Sequence, residues 1–243
     1  MVFSTAMSLY GQEIRLKNKG DIYAPYKIVS NLGPGVEDVD GNFYTTIILG
    51  NGQEWMGENL NTTRYANGDT IPNVKCNKVW AELDYGAWSY YNNDSTYEQP
   101  YGKLYNWFVI GDSRNVCPSG WHIPTDKEWT ILVRYLDPIA MNNTNDAGGK
   151  MKTTGSIENE DSYWETPNKG AGNESGFSAL PGGYRYNEGS FYNIGKNGYW
   201  WSSTMHDPAS AWSRYIYSKF DVVSRYYYYK KGGFSIRCLK DDD

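Results

Sequence analysis

At 243 residues, with 40% hydrophobic and 21% charged residues, the chain can bury one large core and is not disordered throughout. Its 23 basic against 28 acidic side chains leave a net charge of -5, so no global field draws it to phosphate backbones and nucleic acid is excluded as a partner. No run of about 18 apolar residues occurs, which excludes a membrane-spanning helix.

The first residues, MVFSTAMSLYGQ, carry no Lys or Arg before Arg15 and make a poor secretion signal. Residues 1–35 read as an N-terminal extension: GQEIRLKNKG is strand-like but too charged for a core, and SNLGPG places Gly and Pro at turn positions. From Val36 the pattern tightens. VEDVDGNFYTTIILGNGQEWMGENL predicts strands over 44–49 and 54–56 joined by an Asn-Gly turn, a hairpin. Residues 61–100, rich in Asn, Asp, Gly and Tyr without a period, read as long ordered loop with short strands. Two helices follow. In PYGKLYNWFVIG, Leu104, Trp107 and Phe108 fall at i, i+3, i+4 between Pro100 and Gly111. In PTDKEWTILVRYLDP, Thr125 and Glu128 form a capping box, Trp129, Leu132, Val133 and Leu136 make one apolar face, and Pro138 prevents continuation. No helical period is found beyond Pro138. The last third predicts strands over 199–203, 211–217 and 233–239, with a less regular piece at 222–229. Alternation in the final strand puts Phe234, Ile236 and Cys238 on one face and Ser235 and Arg237 on the other, so Cys238 points inward.

The aromatic residues, 16% of the chain with 23 Tyr among them, favour a binding surface, because Tyr and Trp present rigid area with a hydrogen-bonding tip. They concentrate towards the end. Tyr226, Tyr227, Tyr228 and Tyr229 read either as a ligand platform or as a strand with half its rings packed inward. Around them Arg214, Lys219, Arg225, Lys230 and Lys231 outnumber Asp207 and Asp221, a surface suited to sugars, acidic protein patches or carboxylates, or else a solvated edge guarded by lysines. Of Trp200 and Trp201 at least one belongs to the core. His122 reads as a hydrogen-bonded packing residue, and His206 as a loop residue able to touch a ligand. Cys76, Cys117 and Cys238 lack metal-ligand spacing, and two histidines are too few for most metal or triad sites. A disulfide between two of the three cysteines fits an exported protein, with the third left free.

The strings DGNFYTTIILGNGQEWMGENL, YGKLYNWFVI, VCPSGWHIPTDKEWTIL, GFSALPGGYR, GYWWSST and GGFSIRCLKD, in that order, resemble the Fibrobacter succinogenes major paralogous domain over residues 36–241. The resemblance implies an α+β, C-type-lectin-like fold with two helices, small twisted antiparallel sheets and long ordered loops. It also implies a Cys117–Cys238 bridge, with Cys76 unpaired. The WSST and GFSIRC frame is similar to that of variable proteins of diversity-generating retroelements, which implies a fixed frame of Trp200, Trp201, Ala211, Trp212, Ile216, Val222 and Phe234. The variable, ligand-binding residues within 205–231 would then be His206, Asp207, Ser210, Ser213, Tyr215, Tyr217, Lys219, Asp221, Ser224, Arg225 and Tyr226 to Tyr229.

The lectin calcium signatures Glu-Pro-Asn and Trp-Asn-Asp are absent, and Glu158, Glu160, Asp161 and residues 92–94 read as loop solvation. Neither a metal nor another cofactor is expected. The resembling formylglycine-generating enzymes use a reactive cysteine pair, which a bridge here would consume, so the expectation is a non-enzymatic binder. It is expected to be secreted or displayed at the cell surface, with a protein ligand or a glycan as partner; a fixed adhesin or carbohydrate-binding module is the alternative.

Overall fold

The computed structural model describes residues 7–9, 12–14 and 27–242. Met7–Leu9 and Gln12–Ile14 pair as an antiparallel hairpin. The rest is α+β, built on two larger sheets. The five-stranded sheet runs in the order Trp121–His122, Leu239–Lys240, Glu54–Met56, Thr46–Leu49 and Ser30–Leu32. The other runs Val223–Tyr229, Ser210–Tyr217, Asn197–Met205, Gly182–Arg185, Gly233–Phe234, Leu104–Asn106 and Trp88–Ser89, with Phe191–Ile194 paired beside Gly182–Arg185. The expected hairpin forms as Thr46–Leu49 against Glu54–Met56. Part of the N-terminal extension is drawn into the fold: Ser30–Leu32 lies antiparallel to Thr46–Leu49, and the Val29 N–H donates to the Tyr135 hydroxyl at 2.8 Å.

Two helix expectations need correction. Leu104–Asn106 is a strand, and only Trp107–Ile110 turns helically, for a single turn. The i, i+3, i+4 spacing misleads because both faces of this strand are covered: Leu104, Tyr105 and Asn106 are all buried, so hydrophobicity there carries no strand period. Beyond Pro138, Ala147–Met151 forms a short helix whose AGGKM sequence carries no helical signature. Its glycines are there for space. A Cβ on Gly148 would lie 2.7 Å from the Val222 carbonyl oxygen, and one on Gly149 would lie 2.4 Å from that of Gly170.

The helix Asp126–Leu136 forms as expected, with the Thr125 hydroxyl accepting from the Glu128 N–H and the Glu128 carboxylate accepting from the Thr125 N–H. Such a cap contributes about 1 kcal/mol. Trp129, Leu132 and Leu136 on its inner face are fully buried against Trp55, Phe177, Trp200, Ile216 and Val223. Burying each of these large side chains stabilises the fold by about 1.5–3 kcal/mol.

The family-like strings converge on one buried amide. Asn59 Oδ1 accepts from Trp200 Nε1 at 2.9 Å and from Arg237 Nε at 3.0 Å, and Asn59 Nδ2 donates to the Tyr101 carbonyl at 2.9 Å. Ser235 and Arg237, on the face opposite Cys238, are therefore buried as well. Arg237 donates to the carbonyls of Met56, Phe177 and Ser178 and lies over the Phe177 ring. Burial pushes its guanidinium pKa down to about 9. The implied Cys117–Cys238 disulfide is present, and Cys76 is free and exposed. Trp200 and Trp201 are both fully buried.

Candidate functional site

Three long antiparallel strands, Asn197–Met205, Ser210–Tyr217 and Val223–Tyr229, carry ten of the fourteen residues expected to bind ligand, with His206, Asp207, Lys219 and Asp221 in the turns between them. The bend between the first two is tied by one carboxylate. Asp207 Oδ1 accepts from the N–H groups of Ala209 and Ser210 at 2.7 and 2.8 Å, and Oδ2 accepts from Ser210 Oγ at 2.6 Å. His206 Nδ1 lies 2.9 Å from the same oxygen. These hydrogen bonds, the Ser210 hydroxyl first, hold the Asp207 carboxyl below the usual carboxylate range. Ser210 and Ser213 are buried; Ser213 Oγ donates to the Tyr226 carbonyl at 3.0 Å.

The cationic surface expected here is largely committed elsewhere. Arg214 and Arg225 both grip Asp126 in the first turn of the capped helix, at 2.6 and 2.9 Å. Lys230 donates to the Pro208 carbonyl at 3.0 Å and closes the bend from below, while Lys231 donates to the Ala81 carbonyl at 2.6 Å. Of the five cations only Lys219 is exposed without such a tie among the described residues. Lys219 and Asp221 sit at the far hairpin turn, about 25 Å along the strand from the bend at 3.4 Å per residue. Asp221 pairs there with Lys169 at 3.3 Å. Tyr217 packs on Phe220 at the same turn. The fold therefore separates these residues from His206 and Tyr226–Tyr229 instead of gathering one site.

Rings gather in two linked groups. His206 stacks on Tyr227 with centroids 3.9 Å apart and 3° between planes, and Trp212 meets both edge-on. The Arg225 guanidinium lies 3.3 Å over the Trp212 ring. The second group starts at half-buried Tyr228, which packs on Tyr199 and Phe234, and continues through Tyr215 stacked on Tyr199 at 5.4 Å. Burial raises the Tyr228 hydroxyl pKa above its ordinary range. Tyr226 links the groups, 4.9 Å from Tyr227 and 5.4 Å from Tyr228. Ser224 is half-buried, opposite Tyr215 in register. Within the frame taken as fixed, Ala211, Ile216 and Phe234 are buried, whereas Trp212 and Val222 are half-buried.

Sequence reasoning missed Tyr184, Tyr186 and Tyr192, which extend the second group across the sheet. Tyr184 lies 4.8 Å from Tyr199 and 5.7 Å from Tyr192, with Tyr186 6.3 Å from both Tyr184 and Tyr192. Their signal was present: Tyr184 and Tyr186 are two apart in GGYRYNEGSFYNIG, and Tyr184 pairs with Tyr192 across the turn.

Several other titratable groups singled out in the sequence are occupied locally. His122 joins Glu128 at 3.2 Å and Asp241 at 2.6 Å, which raises its pKa to about 9, the Glu128 hydrogen bond first among the causes. Glu158 accepts from Thr166, Asp161 from the Ser156 N–H, and Asp94 from the Thr96 N–H. Among the described residues no three His, Cys, Asp or Glu side chains are placed to share a metal ion, and no helix is long and apolar enough to cross a membrane.

Comparison with protein families matches the Fibrobacter succinogenes major domain over residues 49–240. Neither the curated proteins nor the solved structures give a match. The chain belongs to the Fibrobacter succinogenes major domain family.

Proposed function

We propose that this chain is a non-enzymatic binding protein, secreted or displayed at the cell surface, whose Tyr-rich face within 205–231 recognises a protein ligand. The observation that carries this reading is a separation within adjacent strands. Tyr226, Tyr227 and Tyr229 are 49%, 39% and 57% exposed, while Trp201, Ala211, Ile216 and Phe234 beside them in the sheet are at most 1% exposed. Outward tyrosines supply contact area at small entropic cost, and the buried layer holds them in place. A disulfide supports export. The helix capped at Thr125 and the two larger sheets support a C-type-lectin-like reading of the α+β fold.

In this reading the face is diversified by a retroelement, since its exposed positions can change while the layer beneath is kept. Deep sequencing of codons 200–240 across a population of source cells tests it. The expected result is substitution at His206, Tyr226, Tyr227 and Tyr229 with Trp201, Phe234 and Cys238 constant. A uniform sequence overturns diversification and leaves the fixed adhesin or carbohydrate-binding module, for which the flat His206–Tyr227 stack beside Trp212 is the favouring observation. Formylglycine-type chemistry needs two reactive thiols. Titration of the native protein is expected to find one, Cys76, and two would revive the enzyme.

A further inference from the structure

Val223–Tyr229 is an edge strand: it pairs with Ser210–Tyr217 on one side, and among the described residues no strand follows it in the sheet order. Alternate residues of an antiparallel strand turn both backbone groups to the same side. Val223 and Arg225 give their N–H groups to the side chains of Asn145 and Asn143, at 2.9 and 2.8 Å, so the odd-numbered residues face outward. Asn145 also donates to the Val223 carbonyl, and Gly232 N–H donates to that of Tyr229 at 2.8 Å. Read along the edge, the backbone groups without a partner among the described residues are the Arg225 carbonyl, the Tyr227 N–H, the Tyr227 carbonyl and the Tyr229 N–H: acceptor, donor, acceptor, donor.

Reversed end for end, that series is its own complement. We propose that this edge pairs antiparallel with the same edge of a second copy of the chain, about a two-fold axis at Tyr227, joining the two sheets into one. Tyr227 exchanges both backbone bonds with Tyr227 of the second copy, and each Tyr229 N–H donates to the opposite Arg225 carbonyl. This register also brings together the Arg225 N–H and the Tyr229 carbonyl, whose partners in the chain, the Asn143 side chain and the Gly232 N–H, swing aside as the strands reach pairing distance. Charge permits the approach. Lysines on an edge normally discourage pairing, but Lys230 and Lys231 are bound to carbonyls of their own chain, and Arg225 is held on Asp126. Facing side chains are then Tyr227 with Tyr227, Tyr226 with Tyr228, and Tyr229 with Arg225, and aromatic cross-strand pairs of this kind stabilise sheets. Because the bonds are main-chain, replacement of side chains over 226–229 leaves the pairing in place, and the dimer presents two copies of the face to one ligand surface.

Sedimentation equilibrium on the full chain tests this without any ligand. The wild type is expected to shift from monomer to dimer with rising concentration, and hydrogen exchange of the Tyr227 and Tyr229 amides to slow in parallel. Tyr227→Pro deletes the axial donor at an edge position where proline is tolerated, and is expected to stay monomeric, while Tyr227→Phe dimerises like the wild type. A monomer up to the solubility limit overturns the proposal and leaves the edge to water or a foreign extended peptide. So does a dimer in which the wild-type Tyr227 and Tyr229 amides exchange as fast as in the monomer, whether or not Tyr227→Pro folds. Either result leaves the binding reading standing, since that is judged by sequence variation at the face.

Discussion

Tryptophan keeps to the interior, whereas tyrosine serves both the interior, as at Tyr44 and Tyr105, and the surface at 226–229. Nine of the ten tryptophans are buried, and the tenth, Trp212, is half-buried in the ring group at the bend. Seven of those nine spend their single N–H on a fixed acceptor, among them Trp107 on the Ser202 carbonyl, Trp201 on that of Tyr105 and Trp200 on Asn59, whereas Trp55 Nε1 is buried with no acceptor among the described residues. Tyr226, Tyr227 and Tyr229 keep their rings in solvent instead. An indole offers one donor that one carbonyl can satisfy, whereas a phenol both donates and accepts and so suits a surface whose partner is not fixed in advance. In the proposed reading, one aromatic-rich composition serves two ends, a locked interior and an adaptable face.

The division can be broken from the scaffold side first. Replacing Cys117 and Cys238 by Ser opens a loop with a sequence separation of 121, and the expected loss is about 5 kcal/mol in the chain-entropy model, read as a lower urea midpoint. Asn59→Ala leaves the buried Trp200 and Arg237 donors without their shared acceptor and is expected to cost about 3–4 kcal/mol by the same measurement. Within the tyrosine run, Tyr228→Ala removes a ring packed on Tyr199 and Phe234 and is expected to cost about 2 kcal/mol.

A smaller effect is expected from pH. His122 has its pKa raised from 6.5 to about 9, so its pairing stabilises fully below 6.5 and is lost as pH rises through about 9. Glu128 is lowered from 4.5 to about 2, so its share is present above 4.5 and is lost as pH falls towards about 2. Thermal unfolding should therefore lose a few degrees on the alkaline side, and His122→Gln should flatten that limb. Least of all, Tyr226→Ala and Tyr229→Ala should change stability by no more than about 0.5 kcal/mol; a loss like that of Tyr228→Ala would mean that these rings belong to the scaffold.

Where local chemistry decides an element, the sequence was enough to find it. The box at Thr125 and Glu128, the stop at Pro138 and the hairpin over 44–56 all follow from interactions within a few residues, and all are present. Where tertiary contact decides, single-chain patterns fail. Leu104–Asn106 is covered on both faces and reads as a helix, and Ala147–Met151 is helical because neighbouring backbone presses on two glycines. The candidate site divides the same way. Alternation predicts half of Tyr226–Tyr229 packed inward, yet three are exposed and only Tyr228 is half-buried, and the cations that local sequence leaves free are tied to Asp126, Pro208 and Ala81 from other segments. Tyr184, Tyr186 and Tyr192 were overlooked because their hairpin lies outside the segment where tyrosines are dense.

The bridge also sets a path for mechanical load. Tension applied to the chain before Cys117 and after Cys238 passes across the sulfur–sulfur bond, so the intervening residues, with all three strands of the face, cannot be drawn out while the bond is intact. Leu239–Lys240, outside the bridge, would peel from Trp121–His122 and from Glu54–Met56 before the tyrosines of the face were drawn out. A face carried this way keeps its shape under shear that is already unravelling the polypeptide beside it.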